Sequence, residues 1–168
     1  MKKLIAIIMV MFAFVAPASA EGAKYDSAEV CENYYAKSET MRGWECIDQV
    51  IGAKPYDTRA FFVKAKFYLI EGNSTEAKKR FADKDVSTKY AKEIFGLYKQ
   101  LGDSKVMKSD FASAADMYNE AFAYNLSAKD KFVADLIESG KKTKQRGYFG
   151  IARRLDESVA PKIGAILS

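Results

Sequence analysis

Apolar residues recur at intervals of three and four along almost the whole chain, and alternation of period two is hard to find. Val30, Cys31, Tyr34 and Tyr35 make one such stripe; Phe61, Phe62, Ala65, Tyr68 and Leu69 a second; Ile94, Phe95, Tyr98 and Leu101 a third. Phe111, Ala114, Ala115, Tyr118, Ala121 and Phe122 make a fourth, and Phe132, Val133, Leu136 and Ile137 a fifth. A stripe of this period is one face of an amphipathic helix, so an all-α fold is expected. Beyond residue 20 the only prolines are Pro55 and Pro161, which leaves long segments free to be helical. Breaks are expected at 54–57, 71–74, 84–87 and 125–127, with Asp57, Ser74, Ser87 and Ser127 as side chains suited to capping the amides of the next helix.

The first twenty residues read differently. Met1-Lys2-Lys3 is followed by thirteen apolar residues, Leu4 to Ala16, and then by Pro17-Ala18-Ser19-Ala20. A basic start, a short apolar core and small residues two apart form the pattern of a secretory signal peptide. The run is shorter than the roughly 20 residues a membrane span needs. Cleavage after Ala20 is expected, leaving residues 21–168 as one domain, periplasmic or secreted. Without the two leader lysines there remain 25 basic and 22 acidic residues, a net charge of +3. No later stretch is apolar enough for a transmembrane segment.

The two cysteines, Cys31 and Cys46, both lie beyond the leader. In an oxidising compartment an even pair is expected to bridge. Their spacing is not that of a Cys-x-x-Cys redox motif.

Histidine is absent, which removes imidazole acid–base catalysis, the Ser-His-Asp and Cys-His nucleophiles and the common zinc enzymes. Gly140-Lys141-Lys142-Thr143 fails as a phosphate loop, because Lys142 interrupts the Gly-Lys-Thr run and Asp135 stands where a glycine is needed. The carboxylate pairs Asp156-Glu157 and Asp83/Asp85 carry no mark of burial. No catalytic, cofactor-binding or metal-ligating residues are expected, and the chain reads as a non-enzyme.

The segment Tyr98-x-x-Leu101-Gly102, then Phe111-x-x-Ala114-x-x-x-Tyr118-x-x-Ala121, resembles a tetratricopeptide repeat. The small residue opening the second helix recurs as Gly43, Ala77, Ala114 and Ala152, at spacings of 34, 37 and 38; twelve residues before each stands Cys31, Ala65, Gly102 or Gly140. Small residues let paired helices approach closely, while bulky neighbours fill the adjacent holes. Lys84 and Asp156 depart from the pattern at apolar places, and Lys105 and Thr143 stand where Tyr34 and Tyr68 stand in other units. The resemblance implies about four stacked antiparallel helical hairpins, an α-solenoid. In the first hairpin a turn near Glu39 places Cys31 and Cys46 at nearly equal height on opposed helices, consistent with a disulfide.

Hairpin stacks of this family use the inner face of the first helices. The resemblance puts Tyr35, Arg59, Phe62, Lys66, Lys99, Lys141 and Lys144 there as a partner-binding face, with Leu69, Met107, Glu32 and Asp103 beside them. Its basic bias suits an acidic protein or peptide; nucleic acid is not expected for an exported chain. Lys141, Lys142, Lys144, Arg146, Arg153 and Arg154 form the one concentrated basic stretch. It reads either as a solvated helix end or as a patch for an acidic protein, anionic lipid or envelope polymer. The expected role is that of an exported binding or scaffold module. The alternatives are a structural subunit of an envelope secretion or pilus assembly, and an enzyme whose site the sequence does not reveal.

Overall fold

The computed structural model describes residues 27–168. The expected leader and its cleavage site after Ala20 lie outside the described residues. Among these the secondary structure is helical throughout, with no strand. The helices are α1 (Ala28–Ala36), α2 (Thr40–Ala53), α3 (Thr58–Ile70), α4 (Ser74–Phe81), α5 (Lys84–Lys89), α6 (Ala91–Met107), α7 (Phe111–Phe122), α8 (Lys129–Thr143), α9 (Arg146–Leu155) and α10 (Ala160–Leu167). Turns of two or three residues join α1 to α2, α3 to α4, α6 to α7 and α8 to α9, and the members of each pair pack along one another. Between pairs, α3 lies against α1 and α2, and α9 lies against α7.

Three of these turns are built alike. Ser38, Gly72 and Ser109 each adopt a left-handed backbone (φ 65°, 84° and 59°). The amide of each donates three residues back, to the carbonyls of Tyr35, Leu69 and Val106. The next amide, of Glu39, Asn73 or Asp110, donates five residues back, to Tyr34, Tyr68 or Lys105, at 3.0, 2.9 and 2.9 Å. This pair of bonds closes a helix on its own last carbonyls. The residue after the left-handed one then opens the next helix: the side chain of Asn73 accepts from Glu76 N and that of Asp110 from Ser113 N. Lys144 is also left-handed (φ 59°) between α8 and α9.

Counted from these turns, the small residues fall in register. Cys31, Ala65 and Gly102 each stand seven residues before the left-handed residue, and Gly43, Ala77 and Ala114 each five after it; all six are buried. Added Cβ atoms show how close the helices come. One on Gly43 would meet Tyr35 at 3.2 Å, and one on Gly102 would meet the Tyr118 ring at 2.5 Å. The fourth pair departs from this register: Gly140 stands only four residues before Lys144 and Ala152 eight after it. There Phe149 holds the place five residues after the turn, and its ring lies against Gly140, where a Cβ would sit 2.8 Å away. The 38-residue spacing to Ala152 therefore does not mark an equivalent position.

Both apolar-site departures have a local cause. Helix α4 ends at Phe81, and Asp83 starts α5 by accepting from the amides of Asp85 and Val86. Lys84 is exposed, and Val86 is buried in its stead. Asp156 lies beyond the end of α9 and accepts from Ser158 N. Asp57 caps α3 as expected, through the amides of Arg59 and Ala60. Asn73 rather than Ser74 caps α4; Ser87 falls inside α5 with its hydroxyl donating to Lys84 O, and Ser127 bonds Asn125 Oδ1 within a short 3-10 turn.

Two apolar clusters fill the interior. One gathers α1 to α6 and Ala121 of α7 around Ile47, Phe67, Phe81, Ile94 and Tyr98; the other gathers the rest of α7 with α8 to α10 around Tyr118, Ile137, Phe149 and Ile151, with Phe95 touching both.

Cys31 and Cys46 form a disulfide between α1 and α2 with Cα atoms 5.3 Å apart, and both are fully buried. The bond spans a sequence separation of 15, so reduction is expected to cost on the order of 3 kcal/mol. Calorimetry with and without reductant should show a lower melting temperature while the far-ultraviolet circular dichroism at 25 °C stays helical. Unchanged melting would overturn this account of the first hairpin.

Gly102→Ala tests the close approach directly. Alanine is favoured over glycine in a helix by about 1 kcal/mol, but the Tyr118 ring is held by Asp103 and by Phe132. Overpacking should win, with a net loss of roughly 1 kcal/mol or more in a denaturant titration.

Candidate partner-binding surface

The expected face along the first helices is largely satisfied from within the chain. Arg59 on α3 reaches Glu32 on α1 at 2.6 Å and Glu29 at 3.4 Å, and Lys66 reaches the other Glu32 oxygen at 2.5 Å. Two cations and two carboxylates thus cancel. Lys99 pairs with Asp103 one turn on, at 2.8 Å. Backbone and Ser27 hydrogen bonds, with Arg59 nearby, hold the Glu29 carboxyl below the usual carboxylate range.

Phe62 does not belong to an open face. It is 3% exposed, stacked on Tyr90 with ring centres 4.6 Å apart and set near Phe81. The cause is α5, an element without a signal in the apolar periodicity, which carries the chain round so that Tyr90 covers Phe62. The Arg59 guanidinium lies over both rings, 5.1 and 5.7 Å from their centres. Leu69 is likewise buried, while Met107 is 81% exposed at the end of α6.

Tyr35 is half-buried and stacked on Phe67 with ring centres 4.1 Å apart. Its hydroxyl donates to Glu71 Oε1 at 3.0 Å, and Trp44 Nε1 donates to the same oxygen at 2.8 Å. The structure therefore brings Arg59 and Lys66 together around Glu32. Tyr35 belongs to a separate aromatic group that ties α1, α2 and the end of α3.

The free positive charge lies elsewhere. From Ser139 to Leu155 there is no acidic residue and there are six cations. Lys141 leans back to Glu138 at 3.6 Å. Arg154 donates to the carbonyl of Ala112 at 3.0 Å and pairs with Asp116 at 3.2 Å, tying α9 to α7. Lys142, Lys144, Arg146 and Arg153 are exposed and have no acidic partner among the described residues.

Helix α9 explains the arrangement: Phe149, Ile151, Ala152 and Leu155 are buried, which leaves Arg146, Gly150 and Arg153 outward at helical spacing. Between α7 and α9 lies an open cleft of about 640 Å³, lined by Phe111, Ala112, Gly147, Gly150, Arg153, Arg154 and Glu157. A smaller cleft of about 210 Å³ between α6 and α8 includes Asp103, Tyr118, Phe132 and Asp135.

Comparison with family models, with curated proteins and with solved structures finds no match to this chain.

Several tyrosine hydroxyls are shifted upward. Burial first, and then the hydrogen bond to Glu71, pushes Tyr35 up to about 12. Burial, then the bond to Asp103, raises Tyr118, and burial raises Tyr98, whose hydroxyl has no hydrogen-bond partner among the described residues. In each case the fold favours the neutral phenol. The stabilisation is whole below pH about 10, the free tyrosine value, and fades as pH rises through about 12, where Tyr35 ionises in the folded chain. An alkaline titration followed at the phenolate absorbance should show these groups ionising late, together with loss of helix. Full ionisation of all tyrosines near pH 10 with the helix intact would contradict this packing.

Proposed function

We propose that this protein is an exported binding module of the cell envelope, built as a stack of tetratricopeptide-like hairpins, that recognises an acidic protein or peptide through α8 and α9. The observation that carries the reading is the contrast in charge. Arg59, Lys66 and Lys99 are matched by carboxylates of the same chain, whereas four of the six cations between Ser139 and Leu155 face solvent unmatched among the described residues. Unmatched charge attracts a partner of opposite sign and speeds the encounter without the cost of breaking internal pairs.

The repeat reading is supported by the shared turn at Ser38, Gly72 and Ser109 and by the buried small residues in register with it. Export is supported by the leader pattern and by a bridged cysteine pair, which suits an oxidising compartment. No helix among the described residues is long and apolar enough to cross a membrane. The expected face is thereby revised: of its residues Lys141 and Lys144 are kept, joined by Lys142, Arg146 and Arg153, and the Arg59–Lys66 cluster becomes a brace between α1 and α3.

The test uses a glutamate-rich peptide as probe and fluorescence anisotropy as readout. The combined change Lys142→Glu, Lys144→Glu and Arg146→Glu should weaken binding about tenfold, since exposed ion pairs contribute a few tenths to about 1 kcal/mol each. Raising salt should shrink the difference. The charge-matched triple change Lys79→Glu, Lys84→Glu and Lys92→Glu, on exposed positions of α4, α5 and α6, should have a smaller effect. Equal loss from both sets would mean that only net charge matters.

A further inference from the structure

We infer that the edge formed by the α6–α7 and α8–α9 turns is a docking surface for an anionic lipid bilayer, with Met107 as the side chain that enters it. The inference goes beyond the reading of α8 and α9 as a peptide-binding end and does not rest on it. The cations of the α8–α9 turn serve both, whereas Met107 and Lys108 belong to this surface and Arg153 to the other.

The two turns are neighbours. Val106 near the end of α6 and Ser139 near the end of α8 line one hollow, together with Tyr148. On the far side of the turns, Phe111 opens α7 against Gly147 and against the Tyr148 ring, whose centre is 5.8 Å away. Residues 107–110 and 140–146 therefore lie side by side at one end of the stack. The acids nearest to them are taken up: Asp110 caps α7 and pairs with Lys105 at 3.5 Å, and Glu138 meets Lys141 at 3.6 Å. Asp135 lies two turns back from Lys142 along α8, in the hollow. Lys108, Lys142, Lys144 and Arg146 remain, exposed and without an acidic partner among the described residues.

A single exposed apolar side chain is ordinary on a protein surface, so what stands beside it decides. Met107 is 81% exposed and next in sequence to Lys108. The other large exposed apolar residues lack this company. Tyr56 shares a hollow with Asp83 and Asp85, and Leu126 shares one with Asp130, Asp156 and the single cation Lys129. Ile70 precedes Glu71, Met41 adjoins the Arg42–Glu39 pair, and Leu167 lies in a stretch, 163–168, without charged side chains. A protruding side chain beside unmatched cations calls for an occupant that is negative at its surface and yields beneath it. A folded partner would need a hole in register with Met107, and an extended peptide offers none. An anionic bilayer meets both demands at any lateral position: headgroups take the cations, and the hydrocarbon boundary takes the thioether. Docking is then peripheral, since no helix among the described residues is long and apolar enough to cross.

Co-sedimentation with vesicles tests this on the oxidised protein from Glu21 onward at low salt. Vesicles containing phosphatidylglycerol should bind it, and vesicles of phosphatidylcholine alone should not. Met107→Ser should weaken binding about tenfold, the scale of withdrawing one buried apolar side chain. Met107→Trp should strengthen it, since tryptophan favours the bilayer interface, and a gain cannot come from misfolding. Leu126→Ser, the matched control, should leave it unchanged. Neither Met107 variant should alter binding of the glutamate-rich peptide, whereas Lys142→Glu, Lys144→Glu and Arg146→Glu together should weaken both. No binding to phosphatidylglycerol vesicles, or equal binding by the unchanged protein and both Met107 variants, overturns the inference. So does a loss in Leu126→Ser as large as that in Met107→Ser. Displacement of the vesicles by glycerol phosphate overturns it too, because that marks a phosphate site rather than a surface. If the vesicles fail and the peptide binds, the lipid surface falls and the peptide reading stands; if the vesicles bind and the peptide does not, the reverse holds.

Discussion

The structure depends on how closely two helices can approach within a pair. In the first three pairs that approach is set at both ends of a short lever. At the turn, a left-handed residue and its two backbone bonds fix where one helix stops and the next begins. Seven residues back and five forward, side chains of at most a few atoms let the backbones near each other. Once the turn is fixed, the small residue must fall at the crossing, because the rise per residue is constant. The disulfide between Cys31 and Cys46 arises from this geometry: one cysteine occupies a close-approach place, and its partner stands opposite at 5.3 Å.

Charge is arranged around the same crossings. Glu32 sits one residue past Cys31 and collects Arg59 and Lys66 from α3, so the first two pairs are joined by ion pairs as well as by Phe67. These pairs are half-buried, and they consume the cations that a binding face would need. Among the described residues nothing comparable meets the stretch from Ser139 to Leu155, which holds no carboxylate itself and of whose cations only Lys141 and Arg154 find one elsewhere. The proposed division of labour, a braced beginning and an open basic end, comes from where acids are missing.

The helical fold, the first hairpin and the cysteine pair are legible in the sequence because each rests on local periodicity and on counting from one turn. Phe62 is not, for a different reason: helical spacing tells which residues share a face, not what comes to cover that face. Tyr90 does so by way of α5, six residues long and started by Asp83, too short to leave a periodic signal. The shared turn is also hidden, because two of its three left-handed residues are serines. Glycine advertises such a place, as Gly72 does, whereas Ser38 and Ser109 look like ordinary loop residues. The capping side chain of the next residue, Asn73 or Asp110, is the available clue.

In the fourth pair the register breaks, and the packing changes with it. With Phe149 five residues after its turn, a bulky ring takes the place of Gly43, Ala77 and Ala114, and room must be found on the opposing helix. Gly140 supplies it, with the ring so near that a Cβ would stand 2.8 Å away. One further glycine, Gly147, then admits Phe111 from α7, so α9 is tied to α7 by a ring on a bare backbone and by Arg154 on the carbonyl of Ala112. A helix anchored at Gly147 on one side and by its apolar stripe on another keeps only a narrow outward face. On α9 that face is Arg146, Gly150 and Arg153. The departure from the register of the first three pairs and the binding surface we propose thus meet in one helix, where Phe149 stands at the crossing.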